Sequence, residues 1–129
     1  MTRFALMLSL VIAGCGGSVE RNNSVAGRTP ASFGWPASWH CYQYELPEGL
    51  QYFPCHPSLE ECQGVRALAA QRATITSECT SQKVAYCIVR DTDGTIERWC
   101  HGSLGACAEF RRYDRARGTA VTSCQGVPP

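Results

Sequence analysis

The sequence predicts an α+β fold of two tandem disulfide-braced units, each a β-hairpin, a helix and a short returning strand. Three observations carry that expectation. Cys55, Cys62 and Cys79 are matched by Cys100, Cys107 and Cys124 at an offset of 45 residues, with Cys41 and Cys87 at the front of each set. Nine of the 25 positions from Cys55 to Cys79 are identical to those from Cys100 to Cys124, as two copies of one unit would leave them. Within each copy the apolar residues change from strand-like alternation to a helical stripe.

The hairpins come first. In the second unit, Ala85 to Asp91 and Thr95 to Cys100 flank Asp93-Gly94, a two-residue signal for a type I′ turn. Counting out from that turn sets Cys87 opposite Cys100 in a non-hydrogen-bonded pair, where Cα atoms are closest. In the first unit, Cys41 to Tyr44 and Gln51 to Phe53 flank Pro47-Glu48-Gly49, which sets Cys41 opposite Cys55. Side chains alternate across a strand, so one face of each hairpin carries the cysteines. The other carries Tyr42, Tyr44 and Tyr52, or Tyr86, Ile88 and Trp99.

A helix follows each hairpin. Ser58 with Glu61 three residues on forms a capping-box pattern, and Leu59, Cys62, Val65 and Leu68/Ala69 recur once per turn as an expected buried stripe. Leu104, Cys107, Phe110 and Tyr113 repeat that stripe, and Gly118 marks the end of the second helix. The Thr-rich segments Thr74 to Cys79 and Thr119 to Cys124 read as the returning strands. A helix of about 13 residues rises about 20 Å, and about seven extended residues return about 23 Å. All four cysteines of a unit are therefore expected at one end.

Eight cysteines in two sets of four read as disulfides: Cys41, Cys55, Cys62, Cys79, Cys87, Cys100, Cys107 and Cys124. Pairing within each unit leaves nine connectivities, and nothing in the spacing selects among them. Neither unit contains a Cys-x-x-Cys pair, so no metal or other cofactor is expected.

The ninth cysteine stands apart. Met1-Thr2-Arg3 is a charged start, and Phe4 to Ile12 is an apolar run of nine residues. That run is too short to span a bilayer and suits a signal peptide. Ile12-Ala13-Gly14-Cys15 resembles the lipobox of bacterial lipoprotein precursors. The resemblance covers the leader and Cys15 only. It implies cleavage after residue 14, lipidation of Cys15, and attachment to a membrane through several acyl chains. Gly16, where an Asp would imply inner-membrane retention, points by the same resemblance to the outer membrane of a Gram-negative cell envelope. Residues 16–34 are rich in Gly, Ser and Asn and read as a flexible tether. The expected organisation is thus 1–14 signal peptide, 15–34 lipidated cysteine and tether, 35–80 first unit and 81–127 second unit. Gly126 to Pro129 reads as a frayed end. Twelve Lys/Arg less Arg3 balance eleven Asp/Glu, which implies no nucleic-acid partner.

No Gly-x-Ser-x-Gly or His-Glu-x-x-His motif is present, so no catalytic activity is expected. His56 and His101 occupy matching positions before the helices, and a residue copied with its scaffold reads as structural. Two surfaces are candidates for binding: the aromatic residues Tyr42, Tyr44 and Tyr52, and the basic residues Arg111, Arg112 and Arg115. Aromatic and arginine side chains dominate interface energetics. The expected function is a lipid-anchored envelope module that binds a protein or a glycan. An inhibitor or immunity protein presenting its hairpin tips is the alternative. A hydrolase-type enzyme using His56 or His101 is the third reading. The sequence resembles small cysteine-rich envelope lipoproteins and, beyond the lipobox, no characterised family.

Overall fold

The computed structural model describes residues 24–129; the leader, Cys15 and residues 16–23 lie outside the described residues. In chain order the elements are a 3-10 turn at Pro30–Phe33, β1 (Trp39–Cys41), β2 (Tyr44–Glu45), β3 (Gln51–Tyr52), β4 (Pro54–His56), α1 (Leu59–Ala69), β5 (Thr74–Ile75), β6 (Thr80–Gln82), β7 (Ala85–Thr92), β8 (Thr95–His101), α2 (Leu104–Ala116) and β9 (Gln125–Val127). A six-stranded antiparallel sheet runs in the order β6-β1-β4-β8-β7-β9, and a three-stranded sheet in the order β3-β2-β5. With two helices and four disulfides, this is a disulfide-rich α+β fold.

Local signals set the turns and caps. Asp93 and Gly94 take φ of 52° and 90°, the left-handed pair a two-residue hairpin requires. Ser58 and Ser103 cap α1 and α2, accepting bonds from the main-chain N–H of Glu61 and Ala106, each at 3.1 Å. The carboxylate of Glu61 faces His56. Gly118, with φ of 77°, closes α2. Its N–H reaches the carbonyl of Arg115, and the N–H of Thr119 that of Asp114, the paired bonds of a Schellman terminus.

The register aligns four cysteines on one rung. Cys41 pairs with Cys55, Cys55 with Cys100, and Cys100 with Cys87. Two disulfides therefore sit side by side on one face, Cys41–Cys55 and Cys87–Cys100, with Cα separations of 4.1 and 4.0 Å. The other two, Cys62–Cys79 and Cys107–Cys124, tie each helix to the chain that follows it. The cysteine-bearing face forms the main core with Trp39, Ala85 and Val127. Helices α1 and α2 pack on the opposite face, where Arg90 reaches Asp114 at 3.1 Å and the rings of Trp99 and Phe110 stack.

Four expectations are corrected. Residues 24–34, read as tether, cover the cysteine-bearing face: Val25 is buried with Val89 and Ala120, and Arg98 donates to the carbonyls of Pro30 and Gly34 at 3.1 and 2.6 Å. Short polar sequence permitted a packed strap because the sheet supplies the apolar surface. Val127, read as frayed, is buried; β9 pairs with β7, and Trp39 Nε1 donates to the Val127 carbonyl at 2.8 Å. The returning strand is split in each half. Only Thr74–Ile75 pairs before Cys79 and only Val121 bridges before Cys124, while the longer ladders lie beyond both cysteines. The helical stripes are only partly covered. Cys62 and Cys107, each tied by its disulfide to the chain beyond its helix, are buried, whereas Leu59, Leu68, Leu104 and Tyr113 are exposed.

Candidate binding groove

A groove of about 940 Å³ runs between α1 and β8. It exists because β4 stops pairing with β8 at Cys55 and Cys100. Pro57 then turns the chain away into α1, while β8 continues to Thr95 with no strand beside it on that side among the described residues. One wall is Glu61, Val65 and Leu68 of α1. The other is Glu97, Arg98 and Trp99 of β8, and His56 and Tyr44 close the end. Leu68 is 65% exposed and Trp99 39% exposed, so the apolar lining faces open space.

The polar groups around it are mostly committed. Trp99 Nε1 donates to Glu97 at 2.6 Å, and the Arg90 guanidinium lies 5.0 Å from the Trp99 ring. Arg98 spans the rings of Trp39 and Phe33 while bonding the strap carbonyls; burial lowers its pKa from the ordinary arginine value. His56 Nδ1 is 3.5 Å from Glu61 Oε1. Burial lowers the His56 pKa, and Glu61 opposes that effect. Ser58, the hydroxyl two residues on, is occupied as the helix cap.

His56 and His101 thus differ despite their matching positions. His56 lines the groove, whereas His101 is only 3% exposed and its ring lies 4.8 Å from that of Phe110 on α2. Burial brings the His101 pKa down to about 4.

The candidate aromatic residues form a stack, with ring centroids 5.7 Å apart for Tyr42 and Tyr44 and 5.2 Å for Tyr44 and Tyr52. Tyr42 is buried, and the expectation that it presents a binding surface is corrected: packing against His56 and Tyr44 covers it. Burial pushes its hydroxyl pKa up to about 12, and raises those of Tyr44 and Tyr52. Tyr44 borders the main groove, while Tyr52 and Arg112 border a smaller one of about 380 Å³ between α2 and the first hairpin. Arg111, Arg112 and Arg115 do gather along a shallow depression on α2. Arg111 is tied to the Thr122 carbonyl at 2.9 Å, and Arg112 pairs with Glu109 at 2.7 Å while staying exposed. Missed by sequence reading were Trp99, Leu68 and Arg98. The alternation along β8 puts Trp99 on the face away from the cysteines, but no local signal says that the neighbouring strand ends beside it.

All eight cysteines expected to form disulfides do so. Cys15 lies outside the described residues. No family model matches the chain, and no curated protein or solved structure is significantly similar to it.

Proposed function

We propose that this protein is a non-catalytic binding module of the bacterial cell envelope, exported through its leader and held at the membrane by a lipid on Cys15. The outer membrane is the favoured location. The observation that carries the binding reading is the α1–β8 groove, where Leu68 and Trp99 stay exposed beside a long open cleft. Exposed apolar surface rimmed by polar groups marks interaction sites. Four disulfides support an oxidising compartment outside the cytosol. The test is affinity capture from cross-linked envelopes with wild type and a Leu68→Asp, Trp99→Ala variant. A partner retained by wild type and lost by the variant supports the reading; equal recovery by both overturns the groove as its site.

We also infer that the globular part consists of two tandem copies of one unit. The 45-residue shift supports this. It relates β4 to β8, β6 to β9 and Cys62–Cys79 to Cys107–Cys124, while Cys41 of β1 matches Cys87 of β7 at 46 residues. Under this reading, Cys107→Ser with Cys124→Ser leaves Cys62–Cys79 intact in non-reducing peptide maps. Scrambling of the first half would count against it.

A further inference from the structure

The main chain of β8 has an open side. Val89 bonds through both its N–H and its C=O to Thr122, and Asp91 N–H bonds to Ala120, all on the side of β7 away from β8. In an antiparallel ladder the bonded pairs alternate. Val89 and Asp91 lie opposite Arg98 and Ile96, so Arg98 and Ile96 likewise direct their N–H and C=O away from β7, Arg98 at the groove and Ile96 on the same edge just beyond its lining. Among the described residues no strand receives them, since β4 meets β8 only at Cys100 and His101.

The other half shows what closes such an edge. There Gly102 N–H donates to the Phe53 carbonyl at 2.8 Å. Exchanging the two halves at the 45-residue offset makes Pro57 the donor (Gly102 moved back) and Arg98 the acceptor (Phe53 moved forward). Proline has no N–H, so this bond cannot form and the Arg98 carbonyl keeps its edge open.

We propose that the groove is a strand-addition site, in which an extended peptide segment of a partner protein pairs with β8 at Ile96 and Arg98. This rests on the binding-module reading and names its ligand class. An added strand lies about 4.8 Å from its neighbour, and five residues of β8 offer about 17 Å of edge. Main-chain bonds supply affinity at such sites and alternate side-chain pockets supply selectivity. Here the alternate pocket is apolar: a residue of the incoming strand that points toward α1 meets Trp99, Val65 and Leu68. The ligand is therefore an extended segment with a bulky aliphatic or aromatic residue at that position.

The test uses the full chain and a phage-displayed library of random twelve-residue peptides, followed by synthetic versions of the selected sequences. The proposal expects a shared bulky apolar position. N-methylation of alternate peptide amides should weaken binding at least tenfold while the intervening ones tolerate it. The amides of Ile96 and Arg98 should gain hydrogen-exchange protection on binding. Pro57→Ala, which restores a donor to the Arg98 carbonyl, should weaken binding several-fold while all four disulfides still form. Binding at the groove that ignores N-methylation, or a Trp99-dependent hit on a glycan array in place of peptides, overturns strand addition and leaves the binding module standing. Protection of both amides in the free full chain overturns a separate partner in favour of residues 1–23. No groove-dependent ligand in either the peptide library or the glycan array overturns both readings.

Discussion

Gly102 donates its main-chain N–H to the Phe53 carbonyl at 2.8 Å, and the Phe53 ring lies so close over its Cα that any Cβ there would collide with it. The first hairpin and the turn into α2 are locked together at this point. Gly102→Ala is expected to destabilise the fold by about 1–3 kcal/mol, the usual cost of overpacking. Urea denaturation checks this, and Phe53→Leu in the same chain should recover part of the loss.

Arg90 and Asp114 make a buried ion pair at 3.1 Å, with side-chain exposures of 13% and 2%. Removing one partner strands the other charge. Asp114→Leu should therefore cost about 3–5 kcal/mol, whereas Arg90→Met with Asp114→Leu should recover most of it. Thermal unfolding of the two variants decides the point.

His101 makes stability depend on pH. Neither of its ring nitrogens has a partner, and burial holds its pKa near 4 against an ordinary 6.5. Between those values the unfolded chain binds the proton that the folded chain refuses, so stability rises with pH across the window and is lost as pH falls through it. The scale is about 3 kcal/mol. Urea midpoints measured from pH 4 to 7 should rise with pH in wild type and rise less steeply in His101→Leu.

Disulfide connectivity is directly checkable. Non-reducing peptide mapping should recover Cys41–Cys55, Cys62–Cys79, Cys87–Cys100 and Cys107–Cys124. Cys62→Ser with Cys79→Ser, which removes a bridge of sequence separation 17, should cost about 2–5 kcal/mol. Any other pairing in the oxidised protein would contradict the fold.

Much of the architecture was legible because it is local. Asp93-Gly94 demands a hairpin turn, and that turn alone puts Cys87 opposite Cys100. Ser58, Ser103 and Gly118 mark helix ends through bonds that reach no more than five residues. The helical stripes were legible in period but not in depth, since the exposure of Leu68 depends on where the sheet below it ends. Of the candidate residues the sequence marks, Tyr44 borders the groove and Tyr42 is buried, while nothing local singles out Trp99.

The sequence by itself determined the cysteine ruler, the two hairpins, the two capped helices and the balance of charge, all from spacings within a few turns of chain. Tertiary structure decided the rest. It chose one of nine disulfide connectivities, joined β4 to β8 through Cys55 and Cys100, and laid residues 24–34 over the cysteine-bearing face. It also opened the groove where Pro57 turns away from Arg98. Each depends on contacts between residues far apart in the chain, where loop closure and packing choose the partner and local periodicity carries no information.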